Sequence, residues 1–352
     1  MSQLRTFVLC AGIATGAMAQ DDPSAFEPYG DVRLRGDFVR NLPRPVDPDF
    51  DRGMIRARPG VRWLPHEALE LGAALKINLS TDNNDKTRFN LDNEKADAVL
   101  LDEAYLRVQL GDNTELLVGQ SVFPLLLSPM VWDQDLRPQG VSLRHAIPAG
   151  DFSSLEFMGG VFFGNHLYGD ESVIGAAQAT FNLNEGMPLA WRFSLAWLDF
   201  SDLNELARAG LVRTNLAAAG TFANEFNLAN ARAGVTLNKF SFPLRLQLDV
   251  LRNVAVGSDG FAARGDLILG DSRRRHGWEL GGAWQRVQRE ALLAALADDD
   301  WWFRTRMRGV SLWAGYGITD SLRVRISGFM ERRDAVSDHN WRALVDLQWA
   351  YE

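Results

Sequence analysis

Apolar and polar residues alternate one by one along stretches of about ten residues, from one end of the chain to the other. In 244–250, leucine and valine alternate with arginine, glutamine and aspartate, and 322–327 repeats the pattern. Successive side chains of a strand point to opposite faces, so these stretches predict strands with one apolar and one polar face. About ten residues is also the length that a tilted strand needs to cross a bilayer. A soluble β-sandwich shows the same alternation, so the lengths of the connections between strands must distinguish a sandwich from a transmembrane barrel.

The alternation and the turn residues between the stretches predict sixteen strands. Their ranges are 30–40, 52–63, 68–79, 98–110, 114–120, 139–147, 152–163, 172–183, 189–199, 230–240, 243–252, 262–270, 276–288, 307–317, 322–332 and 341–351. The connections alternate in length, with short ones such as 111–113 and 318–321 and long ones such as 121–138 and 291–306. Short periplasmic turns and long external loops are typical of transmembrane barrels, and closure leaves no strand edge open to lipid. We therefore predict an all-β fold, an antiparallel transmembrane β-barrel of about 16 strands.

The first residues resemble an export signal. Arg5 provides a positive charge, Phe7–Gly16 is apolar, and Ala17-Met18-Ala19 is a small-residue cleavage site. These features predict a signal peptide at 1–19 and one outer-membrane barrel domain at 20–352; a buried N-terminal helix is the alternative. The single cysteine, Cys10, lies in the signal, so we expect no disulfide.

Composition and motifs argue against several classes of protein. The net charge of −8 argues against a basic nucleic-acid surface, so no nucleic-acid partner is expected. The five histidines are scattered, and the chain contains neither Gly-x-Ser-x-Gly nor a phosphate-binding loop. We therefore predict no metal, no cofactor and no enzyme activity. A barrel enzyme remains the weaker alternative, because Ser142 and His145 are close in sequence but lie on opposite faces of a strand.

Several motifs resemble a family of Gram-negative outer-membrane porins. They are Leu101–Leu106, Leu117–Gln120, Phe123-Pro124, Trp132–Gly140 and Gly315–Asp320. The stretch Trp132–Gly140 is the most specific of them. The resemblance implies a porin barrel in the cell outer membrane, but it supplies neither a solute nor a catalytic residue.

If the apolar residues face lipid, the alternate residues face the lumen. This places the following side chains in a pore: Arg33, Arg35, Arg56, Arg58, Arg62, Glu103, Arg107, Arg245, Arg323 and Arg325. The first two strands are rich in inward arginine, which predicts a basic wall and an anion preference. The alternative is that these arginines pair with carboxylates of the lumen.

The third long connection, 121–138, is the candidate constriction. Its centre is too apolar for a loop in free solvent, and in many sixteen-stranded porins the third loop folds into the barrel. The residues assigned to the constriction are Phe123, Trp132, Asp133, Asp135 and Arg137, with the two aspartates facing the basic wall. The alternative is a loop that caps the rim or packs at a subunit contact. Two further long loops, at Asp202–Arg208 and Glu290–Ala297, are predicted to be partly helical and external.

Together these observations predict a passive diffusion pore, or porin, for small polar or anionic solutes, and therefore ion transport. Its expected partners are outer-membrane lipid, lipopolysaccharide and, from the small residues of Gly175–Ala179, two further copies in a homotrimer. A plugged structural or adhesive barrel is the second interpretation, because paired charges and an inward loop would close the lumen.

Overall fold

A computed structural model describes residues 26–42, 49–81, 97–164, 172–208, 210–238 and 242–351. The predicted signal peptide lies outside the described residues. The strands are β1 (Phe26–Arg40), β2 (Phe50–His66), β3 (Leu69–Ser80), β4 (Ala98–Gly111), β5 (Thr114–Gln120), β6 (Gln139–Pro148), β7 (Ser154–Phe163), β8 (Val173–Leu183), β9 (Leu189–Ser201), β10 (Ala217–Ala218), β11 (Thr221–Phe222), β12 (Phe226–Leu237), β13 (Leu244–Asn253), β14 (Phe261–Gly270), β15 (Trp278–Val287), β16 (Met307–Gly317), β17 (Leu322–Arg333) and β18 (Asn340–Tyr351).

Sixteen of these strands close into one antiparallel barrel, and β10 and β11 form a separate two-stranded sheet. Each barrel strand pairs with its sequence neighbours, β9 pairs with β12, and β1 pairs with β18 to close the circle. The predicted all-β barrel and its strand number are confirmed. Several boundaries differ by up to four residues: β1 begins at Phe26 rather than at residue 30, and β12 begins at Phe226, opposite Phe200 of β9, rather than at residue 230. Among the described residues, no helix has the length and apolar composition needed to span a bilayer.

The two faces of the barrel wall differ in polarity as the alternation predicts. Leu312 of β16 is 69% exposed on the outside, whereas its neighbour Ser311 is 4% exposed and faces the interior. Large apolar side chains are exposed around the whole outer wall, and most inward side chains of β1, β8 and β13 are polar. An apolar exterior around a polar interior is the arrangement of a barrel that stands in lipid.

One strand departs from strict alternation. The pairing of β3 with β4 shifts after Ala74, and both Asp102 and Glu103 are buried as a result. A β-bulge inserts one extra residue and re-aims the side chains beside it. The bulge therefore adds a second inward carboxylate, Asp102, which the period-2 pattern assigned to the outside.

Three connections carry the residues that bear on function. They are loop 3 (residues 121–138, between β5 and β6), loop 5 (202–225, between β9 and β12) and loop 7 (288–306, between β15 and β16). Loop 5 contains the only helix of the described residues, α1 (Asn204–Arg208), which agrees with the helix expected there. Loops 3 and 7 enter the barrel and share one buried apolar cluster with side chains of the inner wall, among them Phe162, Leu198 and Leu344.

The expected helix at Glu290–Ala297 is wrong, and so is its external position. The segment forms turns instead, and every side chain from Ala291 to Ala297 is buried. A segment of alanine and leucine has no polar face to present to water, so it is more stable when buried than as a helix on the surface.

Candidate pore and the loops inside it

Asp135 of loop 3 lies against the arginines of β1 and β2. Its carboxylate contacts Arg56 at 2.6 Å, Arg58 at 3.2 Å and Arg33 at 3.5 Å. Burial alone would raise the pKa of Asp135, but the guanidiniums of Arg56, Arg33 and Arg58 outweigh it and hold that pKa well below its usual range. The carboxylate is therefore ionised, and it fixes loop 3 to this wall by charge-assisted hydrogen bonds.

A second carboxylate shares this wall. Asp31 of β1 accepts a hydrogen bond from Nε of Arg58 at 2.7 Å and one from Nη2 of Arg56 at 3.2 Å. The main-chain oxygen of Asp135 also accepts a hydrogen bond from Nζ of Lys76 at 3.1 Å. The predicted arginine wall thus consists of paired guanidiniums, as the alternative interpretation of the sequence allowed.

Loop 7 is anchored on the next group of arginines. Arg35 donates to Asp346 of β18 at 2.7 Å and to Asp300 of loop 7 at 2.5 Å. Arg342 of β18 donates to the carbonyl oxygen of Asp300 at 2.9 Å. Arg342 also donates twice to Asp37 at 2.9 Å, and Asp37 is fully buried. This network ties the barrel seam, β1 to β18, to the inward loop.

The remaining part of loop 3 packs through apolar side chains. Phe123 stacks on Trp132 with ring centroids 4.2 Å apart, and its ring meets Phe162 of β7 edge-on at 4.8 Å. At the tip, the main-chain nitrogen and oxygen of Leu126 both bond to the carboxamide of Gln178 on β8, at 2.8 and 3.1 Å. The loop thus crosses the lumen from the β1–β2 wall to β8.

Arg137 and Asp133 lie on either side of Asp135 in loop 3. Arg137 donates to Glu103 at 3.1 Å and lies 3.7 Å from Asp102. The carboxylate of Asp133 accepts the main-chain nitrogen of Asp135 at 2.8 Å. Of the two aspartates expected to face the wall, Asp135 contacts its arginines directly.

Loop 7 fills the interior above loop 3. Its backbone is bound by Asn215 of loop 5, which donates to the carbonyl oxygens of Arg289 and Leu292 at 2.7 and 2.9 Å and accepts from Ala294 at 2.9 Å. The buried carboxylate of Glu331 on β17 accepts the main-chain nitrogens of Trp302 and Phe303, at 2.8 and 3.0 Å. Backbone polar groups that leave water need such partners, so a loop without regular structure can be buried here.

Three carboxylates meet where the two loops touch. In the described part of the chain, Asp133, Asp298 and Asp299 have carboxylate oxygens within 4.8 Å of one another. Burial, followed by the charges of Asp300 and Asp299, raises the pKa of Asp298 to about 8. Asp298 therefore holds a proton near neutral pH, which reduces the repulsion between the loops.

The other predicted lumen residues lie nearer the short turns. Arg62 stacks over the ring of Tyr29 at 4.4 Å, and Arg107 pairs with Glu70 at 3.0 Å. Arg245 pairs with Glu279 at 3.1 Å. Arg323 donates to Gln348 at 2.8 Å, and Arg325 lies 4.7 Å above the ring of Trp313. These side chains are distributed around the wall and do not form one cluster.

Sequence reasoning missed several members of the networks. Asp31, Asp37 and Arg52 have the same parity as the predicted arginines of β1 and β2, so the alternation could have identified them. Asp300 and Asn215 lie in loops, where no periodic signal exists. Their roles depend on loops that meet only in the folded barrel.

The fold is that of the outer-membrane porins. OprB of Pseudomonas putida, in a high-pH structure, matches over 93% of this chain and 94% of its own, with 13% identity and a TM-score of 0.64. OmpF of Salmonella typhi, in a complex with daunomycin, matches over 95% and 99%, with 10% identity and a TM-score of 0.57. A loop-deletion mutant of OmpT of Vibrio cholerae matches over 94% and 100%, with 10% identity and a TM-score of 0.56.

These structures confirm the porin fold that the sequence motifs implied. No protein-family model matches the sequence, and no curated protein matches it significantly. At such low identity the likeness is one of fold, so function must be argued from the interior of the barrel.

Proposed function

We propose that this chain is an outer-membrane porin, exported by the signal at 1–19, through which small polar solutes diffuse passively. The observation that carries the proposal is a closed sixteen-stranded barrel with an apolar outer wall and a polar inner wall. Sixteen strands enclose an interior wide enough for an aqueous channel, whereas about eight would be filled by their own side chains. A channel is proposed rather than an enzyme because the solved structures with this fold are porins.

The constriction is proposed at loop 3, between Asp135 and the arginines of β1 and β2. Loop 3 spans from Arg56, at 2.6 Å from Asp135, to Gln178 on β8. Loop 7 adds a second obstruction on the external side. It is held against loop 3, because the main-chain nitrogen of Asp298 donates to the carbonyl oxygen of Pro129 at 3.1 Å. A solute must therefore pass beside both loops, in a space whose charges are fixed by the wall.

We also propose a weak anion preference. The groups that contact one another directly on this wall are Arg33, Arg56 and Arg58 with Asp31 and Asp135, and this set of five carries three positive and two negative charges. One excess charge in a narrow, low-dielectric space attracts anions, although less strongly than an unpaired arginine wall would.

Single-channel recording tests the channel. The refolded protein is placed in a planar bilayer with a salt gradient, and discrete conductance steps with a reversal potential on the anion side are expected. Steps with cation preference would leave the channel and remove the anion proposal. The absence of steps from protein with a β-rich circular dichroism spectrum would contradict the channel itself.

A plugged barrel is the second candidate, and one observation favours it. Loop 7 is buried continuously from Ala291 to Ala297, and most of this segment, together with Trp301 and Trp302, belongs to the apolar cluster inside the barrel. A variant in which a short Gly-Ser linker replaces residues 289–305 separates the two functions. Conductance in the variant alone would favour a plug, whereas conductance in both proteins would favour a porin.

Three partner predictions accompany the proposal. The exposed apolar wall is suited to outer-membrane lipid and to lipopolysaccharide. The homotrimer stays a prediction, based on the small outward residues Gly175, Ala177 and Ala179 of β8. Native mass spectrometry of the detergent-solubilised protein would determine the number of copies.

A further inference from the structure

A cavity of about 230 Å³ lies inside the barrel, at the end where β8 and β9 meet their short turn. It is bordered by the tip of loop 3 and by inward side chains of four neighbouring strands, namely Leu126, Asn182, Ser194, Arg232, Thr236 and Gln247. Loop 3 separates this space from the arginine wall, because the tip at Leu126 is bound to Gln178. The cavity is therefore distinct from the constriction.

Arg232 gives the cavity a guanidinium that forms no direct ion pair. Its Nη2 donates to Oε1 of Gln247 at 2.6 Å, and no carboxylate of the described residues lies within 4.0 Å of its guanidinium. Asp249 lies opposite Arg232 in the strand register and is the first of the acidic groups whose charge acts on it, but beyond ion-pair distance; its Oδ1 accepts a hydrogen bond from Asn230 at 2.6 Å. Arg264, on the next strand but one, is paired with Asp266 at 2.7 Å.

Three of the arginines assigned to the pore also lack a carboxylate within 4.0 Å among the described residues, but they differ from Arg232. Arg62 lies over the ring of Tyr29, Arg323 donates to Gln348, and Arg325 lies over the ring of Trp313 and donates to Ser327 at 3.2 Å. None of the three lines this cavity. Arg232 thus combines a guanidinium without a direct ion pair with an enclosed space.

Three polar groups around Arg232 can donate a hydrogen bond to a ligand. Ser194 is 3% exposed, and its hydroxyl has no hydrogen-bond partner in the described part of the protein. The hydroxyl of Thr236 and the amide nitrogen of Gln247 donate to no described residue. The acid at the mouth, Glu185, lies 3.3 Å from Arg192. Donors beside a guanidinium form a site for an oxyanion.

We propose that this cavity binds a small carboxylate-bearing solute, with Arg232 as its cationic contact. A carboxylate accepts two parallel hydrogen bonds from a planar guanidinium, and the apolar side chain of Leu126 offers a surface for the carbon chain. The volume is smaller than the roughly 300–1,000 Å³ of sites for drug-sized ligands, so the solute is a short organic acid. The inference rests on the proposed channel, since the solute reaches the cavity through the lumen.

Isothermal titration of the folded barrel in detergent micelles tests the site, with succinate as the probe and glycerol as a neutral control. Succinate binding is expected, and Arg232→Gln should weaken it by about tenfold or more, because a charged hydrogen-bonding partner is lost. Gln247→Glu should weaken it as much, since it keeps the side-chain shape and places a carboxylate on Arg232. Arg245→Gln is the matched control, because Arg245 is already paired with Glu279 at 3.1 Å.

The proposal is overturned if the wild-type protein does not bind succinate. It is also overturned if the variants at 232 and 247 bind succinate as tightly as the wild type does. Binding of sulfate without succinate would reassign the site to inorganic oxyanions and overturn the carboxylate assignment. Bilayer recordings keep the two proposals separate. Succinate binding without conductance would contradict the channel alone, and conductance without Arg232-dependent binding would contradict the subsite alone.

Discussion

The main-chain nitrogen of Asp133 in loop 3 donates to the carbonyl oxygen of Leu296 in loop 7 at 2.7 Å. This bond joins two connections that enter the barrel from different parts of its rim. Because loop 7 is in turn held by Asn215 and Glu331, the three loops and the wall form one hydrogen-bonded unit. Movement of any one of these loops must therefore disturb the others.

Asn215→Ala should loosen loop 7. The substitution leaves the carbonyl oxygens of Arg289 and Leu292 and the nitrogen of Ala294 without their partner, and each buried unsatisfied group costs about 1–3 kcal/mol. We expect faster hydrogen–deuterium exchange at Ala294 and longer or more frequent open states in bilayer recordings. Thr221→Ala, in strand β11 of the same loop 5, is the control and should change neither measurement, because its hydroxyl donates to Ala218 of that loop and not to loop 7.

The contact between loops 3 and 7 should weaken as the pH rises. The pKa of Asp298 is raised to about 8 by burial and by its acidic neighbours, so the docked loops favour the protonated carboxyl. The stability from this proton is fully present below the ordinary aspartate pKa of about 4 and is lost as the pH rises to about 8. We therefore expect higher conductance at pH 9 than at pH 5.

Asp298→Asn should remove most of that pH dependence and keep the loops docked at high pH. The control is Asp271→Asn, at the turn between β14 and β15, where Arg273 lowers the pKa of the aspartate. If the control loses the pH response as well, or the Asp298 variant keeps it, Asp298 is not the group that titrates.

Asp135→Asn should increase the preference for anions. The variant removes one of the two carboxylates that contact Arg33, Arg56 and Arg58, and only Asp31 then remains against them. The reversal potential in a salt gradient should shift toward that of the anion. Asp112→Asn, in an exposed short turn, changes the total charge equally and should leave the reversal potential unchanged.

Leu312→Arg tests the membrane-facing wall. Leu312 lies at the middle of β16 and is exposed to the outside, and an arginine at the bilayer midplane costs roughly 2–4 kcal/mol. Reversible folding into lipid vesicles, followed by tryptophan fluorescence, measures the loss. Leu110→Arg, beside a short turn, should cost no more than about 1 kcal/mol, because the cost falls toward the interface.

Much of the barrel was predictable from the sequence because the strand pattern is local. Strand β13, for example, is predicted at 243–252 and lies at Leu244–Asn253, since from 244 to 250 the apolar residues face lipid and the polar ones the lumen. The apolar centre of loop 3 likewise indicated burial before any partner was known.

Two features could not be derived in this way. The alanines of loop 7 favour a helix by propensity, but the hydrogen bonds from Asn215 and the buried position in the barrel outweigh that preference. Arg342 contacts Asp37 only because the last strand pairs with the first, and that register follows from closure and not from any local pattern.

The seam between β1 and β18 also sets the order in which the molecule can assemble. The hydrogen bonds of Arg35 to Asp346 join residues 311 positions apart, whereas those of Arg52 to Asp37 span 15. Pairings between residues far apart in sequence form late, because ordering the intervening chain costs conformational entropy before the contact can stabilise the fold. The hairpin of β1 and β2 can therefore form early, with Arg52 already bound to Asp37 and Arg58 to Asp31. Arg35 and Arg342 can reach their partners across the seam only after β18 has paired with β1. Loop 7 can dock onto these two arginines only after that step.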